Sequence, residues 1–428
     1  MSPEIAHILL LSIVAVSILL MLIRPRGIAE VYWIGGGAIL LLVLRLIPLR
    51  LAGKAVAEGS DVYLFLIGMM LLSELAREQG VFDWLASTAI RRAGGSCSRL
   101  FTLVYAVGTV VTIFLSNDAT AVVLTPAILT AVRKAKVAPL PYLFACALIA
   151  NAASLVLPIS NPANLVVFRA GMPPLGRWLL AFGLPSMASI AATYLVMRWL
   201  FRKDLAGNVG HDVEVEPLTA NGKLVQAGVG AMVVVLLIAS SLKKDLGLPT
   251  CLAALAVTAV VSIKSRTNPV RLAREISWRT LVLVAGLFIL VDAVVSVGAL
   301  AVTGRGLAWV QSLHPVAGAL TTSFVVGVAN NLINNLPLGL LAGATLQAAH
   351  ANGLIANAVM IGVDLGPNLS VTGSLATILW LLALRKDQQD GLDVSFWSFL
   401  KVGVVAMPVA LVFATGAAIV VDFLLTWL

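Results

Sequence analysis

The sequence predicts an all-α polytopic membrane protein made of two inverted repeats, each with five spanning segments, a re-entrant helical hairpin and a broken helix. Three observations carry that expectation. Of 428 residues, 60% are hydrophobic and only 11% are charged, where a soluble domain carries about 25% charged residues. Apolar runs of bilayer length recur along the whole chain. Four further stretches are interrupted by polar residues, and the order of elements repeats at an offset of 218 residues. This composition leaves no room for a large soluble domain. Lys plus Arg exceed Asp plus Glu by 29 to 20, a surplus that reads as membrane topology rather than as nucleic-acid binding. Cys97, Cys146 and Cys251 lack a Cys-x-x-Cys spacing, so no disulfide framework, zinc site or other cofactor is expected.

The run 5–23 is read as a retained first helix, because Glu4 precedes it, Arg24 and Arg26 follow it, and no small-residue cleavage site appears. Runs near 28–47, 61–79, 178–201, 223–242, 246–263, 280–299 and 398–425 each fit one span. Residues 100–132 are too long for one upright helix and too short for two crossings. Their single charge, Asp118, sits at mid-length beside Ser116 and Asn117, so a re-entrant hairpin with its tip there is expected. A second hairpin is expected over 316–347, centred on Asn330, Asn331, Asn334 and Asn335. Broken helices are expected over 137–168, around Asn151, Pro158, Asn161 and Pro162, and over 354–384, around Asp364, Gly366, Pro367 and Gly373.

The offset of 218 places Gly68 on Gly286, Glu74 on Asp292, Gly80 on Gly298, and Ser116-Asn117 on Asn334-Asn335. It defines a first repeat over 1–205, a polar cytoplasmic linker over 206–222 and a second repeat over 223–428. Five crossings per half invert the second repeat. With both termini outside, 21 of the 29 Lys and Arg fall on the inner side, as cytoplasmic loops require. Val81 to Arg92 is amphipathic and suits a helix at the inner interface.

Non-helical backbone inside a bilayer lines cavities, so the tips and breaks are where the chemistry is expected. Ser116, Asn117 and Asp118 should cap a half-helix that begins at Ala119, and Asn335, with Pro337 just inside, should do the same at the other tip. Asn161-Pro162 should restart the first broken helix. Several amides together at mid-bilayer are costly unless they face a cavity. Asp118 and Asp364, as unpaired intramembrane carboxylates, could gain and lose a proton. Glu74 and Asp292 are either functional or paired with a nearby Arg, and His7, His314 and His350 belong to span ends.

The segments Ser116 to Pro126 (SNDATAVVLTP), Ala150 to Val167 (ANAASLVLPISNPANLVV), Asn330 to Pro337 (NNLINNLP) and Gly362 to Trp380 (GVDLGPNLSVTGSLATILW) resemble the signature segments of the arsenite efflux permease family, ArsB. This family belongs to the ion transporter superfamily that also holds sodium-coupled dicarboxylate carriers. The resemblance spans essentially the whole chain. It implies a multi-pass inner-membrane exporter of arsenite and antimonite driven by protons, sometimes assisted by a cytosolic ArsA ATPase. Two departures are Ala119-Thr120, where the family often has Gly-Ala, and Asn368, where it often has Lys.

Arsenous acid is largely neutral at physiological pH and needs amide and hydroxyl partners. Ser116, Asn117, Thr120, Asn151, Asn161, Asn164, Asn334, Asn335, Thr372 and Ser374 are the candidates to supply them, with Asp118 and Asp364 carrying protons. The tips hold no Arg or Lys to neutralise a dicarboxylate. The alternatives are a sodium/proton antiporter or a sodium-coupled anion carrier of the same superfamily. An intramembrane enzyme is disfavoured, because no nucleophile-base or metal-ligand set occurs.

Overall fold

The computed structural model describes residues 2–169, 171–209, 217–265, 268–351, 353–386 and 394–426. Part of the expected linker, residues 210–216, lies outside the described residues. The described chain is helical throughout its regular structure. Among the described residues, eight helices are long and apolar enough to cross a membrane, or up to nine if the bent pair Leu49–Glu58 and Ser60–Glu78 is one span.

Several element boundaries recur at one spacing. Ser60–Glu78 and Trp278–Ser296 both begin and both end 218 residues apart, and so do Cys97–Leu115 and Pro315–Ile333. Helices of the two halves also pack in exchanged pairs: Ser60–Glu78 lies against Gly247–Ser265, while Trp278–Ser296 lies against Glu30–Val43. Glycines make both crossings close. A Cβ on Gly68 would sit 2.8 Å from the Thr250 carbonyl oxygen, and one on Gly286 would sit 2.7 Å from the Ile34 side chain.

The chain departs from the sequence expectation in identifiable ways. The run 28–47 yields only the 14-residue helix Glu30–Val43, about 21 Å long. It stops before Arg45, whose φ is 52°, and Pro48 then opens Leu49–Glu58. That helix, Pro269–Glu275 and Ala299–Ser312 were not expected. Ala299–Ser312 begins 218 residues after Val81–Arg92, and left-handed Gly80 and Gly298 precede the two.

The helix restarts at the hairpin tips lie earlier than expected. The cap of the first is Ser116, with φ 100° and ψ 160°, and helix resumes at Asn117 rather than Ala119. The cap of the second is Asn334, with φ 79° and ψ 150°, and helix resumes at Asn335. The left-handed residue is the true end of each first leg, and its own side chain accepts the orphan N-H two or three residues on: Ala119 to Ser116 Oγ at 3.5 Å, and Leu336 to Asn334 Oδ1 at 3.4 Å. The first leg of each hairpin is 19 residues, long enough by itself to span. Five residues of the first return leg, Thr120–Leu124, are wound as a π-helix. The slip precedes Pro126, which has no N-H for the α-helical ladder, and Thr125 Oγ1 donates to the Thr120 carbonyl at 2.9 Å.

Candidate functional site

Two broken helices cross at the centre of the bundle. The first runs Leu140–Ala152, unwinds, and restarts at Pro162–Val167. Asn161 is its cap, accepting from the Ala163 N-H at 3.0 Å, with Pro162 at the first helical position as the sequence implied. The second runs Leu354–Leu365 and restarts at Leu375–Lys386. Ser374 and Thr377 cap that restart reciprocally: each backbone N-H donates to the other's hydroxyl, at 3.2 and 3.1 Å.

The two breaks are stapled together by buried side chains. Asn161 Nδ2 donates to Asp364 Oδ1 at 2.8 Å. Asn151 Nδ2 donates to Asn368 Oδ1 at 2.9 Å, and Asn368 Nδ2 donates to the Leu148 carbonyl at 3.1 Å. The Trp380 indole N-H reaches the Leu143 carbonyl at 3.1 Å. Each bond joins one half of the chain to the other.

A narrow pocket opens where four helix starts meet. Its polar lining is Asn117 and Asp118 of the first hairpin, Asn161, Asn335 of the second hairpin, Ser374, and Thr280 approaching from Trp278–Ser296, while Leu66, Pro162, Val284, Leu336, Leu375 and Ala376 complete an apolar wall. It has room for about one water molecule, so the walls must part before a larger solute enters. Its lining contains no Lys, Arg or His. Asp118 makes no hydrogen bond or ion pair with any described side chain. The helix starts present N-H groups and positive dipole ends to oxygen ligands.

Of the candidates named from sequence, Asn117, Asp118, Asn161, Asn335 and Ser374 therefore line this pocket. The others brace it. Ser116 and Asn334 cap the two tips, and Asn334 Nδ2 also donates to the Thr372 carbonyl at 3.2 Å. Thr120 is fully buried and shares a 2.8 Å bond with Thr112. Asn164 Nδ2 holds the unwound segment through the carbonyls of Ser154, at 3.0 Å, and Leu157, at 3.3 Å. Thr372 Oγ1 donates to the Asn331 carbonyl at 2.9 Å. Asp364 is fully buried behind Asn161, and its Oδ2 has no hydrogen-bond partner among the described residues.

Sequence reasoning left Thr280, Asn331 and Asn368 out of the site. Asn331 ties the second hairpin to the second break, with Oδ1 accepting from Ser370 N-H at 3.0 Å and Oγ at 2.7 Å. Its place in the asparagine cluster was the available signal. Nothing local marks Thr280.

Glu74 and Asp292 both prove to be ion-paired. Glu74 meets Arg77 of its own helix, Nε to Oε2 at 2.9 Å. Asp292 meets Arg169 at 3.7 Å, at the rim of a wide vestibule of about 890 Å³ that also holds Lys54, Glu58, Asp61 and Asp245.

Broken helices meeting hairpin tips in a helical membrane bundle define a transporter. The family described as Citrate transporter (CitMHS) matches residues 5–366, and the chain belongs to that family. It is 28% identical over 370 residues to the arsenical pump membrane protein of Yersinia enterocolitica, covering 82% of this chain and 84% of that one. It is 27% identical over 426 residues to that of Escherichia coli K12, covering 95% and 97%. Among solved structures, the YdaH transporter of Alcanivorax borkumensis superposes with a TM-score of 0.59 at 14% identity, covering 88% of this chain and 87% of that one. That likeness concerns the fold.

Proposed function

We propose that this protein exports arsenite and antimonite, as neutral trihydroxy species, in exchange for protons by alternating access. The observation that carries this reading is the pocket of carboxamides and hydroxyls holding one unpaired carboxylate, Asp118, and no basic side chain. Amide and hydroxyl groups suit a small polyol-like solute. Asp118 would take a proton from the outer side as metalloid leaves, and Asp364, held through Asn161, would respond to it. The likeness to arsenical pump membrane proteins over nearly the full chain supports the substrate. The matching helix boundaries and exchanged pairs support two inverted repeats, and the excess of Lys and Arg on one side supports placing both termini outside, in the inner membrane. An ArsA-type ATPase would be an accessory partner.

A sodium-coupled anion carrier is the second reading. It is favoured by four buried oxygens near the tips and breaks that have no donor among the described residues, Asn117 Oδ1, Asn164 Oδ1, Asn330 Oδ1 and Asp364 Oδ2, which a small cation would satisfy. Arsenite accumulation in everted membrane vesicles separates the two. The export reading predicts uptake that follows an acid-inside gradient, collapses with an uncoupler and ignores sodium. Uptake that requires sodium, or none at all, supports the second reading.

A further inference from the structure

The halves carry matched carboxylates whose ion pairs differ. Asp292 has no basic residue within a turn on its own helix and takes Arg169 of the first half. The Arg169 guanidinium also lies 3.3 Å from Glu58 and 5.9 Å from the Phe288 ring centroid. Arg169 is only 16% exposed and Asp292 only 12%, so the pair is well sheltered. Arg169 is the first cation after Asn161, the restart of the first broken helix. It therefore reports where that helix stands against Trp278–Ser296.

The opposite end of the bundle repeats these parts without the same pairing. Glu74, offset by 218 from Asp292, lies about 20 Å along its helix from Asp61 at the vestibule. Its side chain is 15% exposed, yet its partner Arg77 is 53% exposed and belongs to the same helix, so the bond joins nothing across the fold. In the second half the first cation after Ser374, the matching restart, is Arg385. It is exposed and makes no ion pair or hydrogen bond with any described residue.

We propose that Arg385 and Glu74 form the counterpart of the Arg169–Asp292 pair when access switches, so that the protein alternates between one latch at each face. This rests on the inverted-repeat, alternating-access reading above. In such a protein, a contact that the first half makes to the second in one state is made by the second to the first in the other. Arg77 holds Glu74 in the meantime, and a pair within one helix whose cation is 53% exposed yields at little cost.

The test uses the full-length chain in membranes, with two double-cysteine variants and their single-cysteine controls. Arg169→Cys with Asp292→Cys should crosslink through a short bis-thiol reagent, as the structure requires. Glu74→Cys with Arg385→Cys should also crosslink, although the structure shows no bond there. Adding Asp292→Asn, or separately Arg169→Gln, should raise the rate of the second crosslink about fivefold by releasing the first latch. A second pair that never crosslinks while the first does, or a rate that neither substitution changes, overturns the proposal. Because crosslinking requires no metalloid, a chain that crosslinks as expected but moves no arsenite keeps the latches and loses only the substrate.

Discussion

At Asp118 a carboxylate faces a pocket whose other polar groups are amides and hydroxyls. Asp118→Asn keeps the shape and the hydrogen-bonding capacity but removes the group that can gain and lose a proton. Acid-driven arsenite accumulation in everted vesicles should fall by at least about tenfold, while the purified variant unfolds at an unchanged temperature. Asn161 is a different case, because its amide donates to fully buried Asp364. Asn161→Ala leaves that oxygen without its donor and should lower stability by about 1–3 kcal/mol, read as an earlier thermal transition in detergent. Much of the residue scale was legible in sequence, since an Asp or Asn inside an apolar run must be satisfied by something. The division between lining and bracing residues was not legible. Thr120 and Asn164 look as available as Asn117 until Thr112 and the carbonyls of Ser154 and Leu157 are seen to occupy them.

Among the elements, the hairpin tips turn on single residues held at positive φ. Ser116 at φ 100° sits where a side chain costs about 1–3 kcal/mol and glycine costs little. Ser116→Gly should therefore fold and insert normally, losing only the weak 3.5 Å cap. Ser116→Val adds β-branched strain and should reduce membrane-inserted protein severalfold, measured by immunoblot of the membrane fraction. The broken helices were readable from Asn-Pro and Gly-Pro punctuation, because those pairs stop and restart helices wherever they stand. Leu49–Glu58 was not readable. It lies between two apolar runs and carries Arg50, Lys54 and Glu58 in ten residues, so no bilayer-length pattern marks it, and the change of direction at Arg45 and Pro48 is set by packing rather than by a helix-breaking sequence alone.

For the whole molecule, the two halves interlock. Gly68 and Gly286 let Ser60–Glu78 and Trp278–Ser296 each press against a helix of the other half. Gly68→Val would place side-chain atoms against the Thr250 backbone, 2.8 Å from the first added carbon. It should cost about 1–3 kcal/mol and lower the thermal transition without altering the acid-dependence of any remaining transport. The offset of 218 was visible in sequence through a handful of aligned positions, an intramembrane acid and a hairpin tip among them, and the helix boundaries carry the same spacing. The exchange of partners between halves was invisible, since no pattern within one run says which other run it meets.

In the proposed exchange, metalloid and proton move in opposite directions through the pocket around Asp118. The most direct measurement uses proteoliposomes in which the protein's cytoplasmic face is outward and a pH-sensitive dye is trapped inside. Arsenite added outside should enter and alkalinise the lumen in the wild-type protein, without sodium, and Asp118→Asn should abolish the pH change. Arsenite entry with no luminal pH change, or an unchanged response in Asp118→Asn, would contradict it.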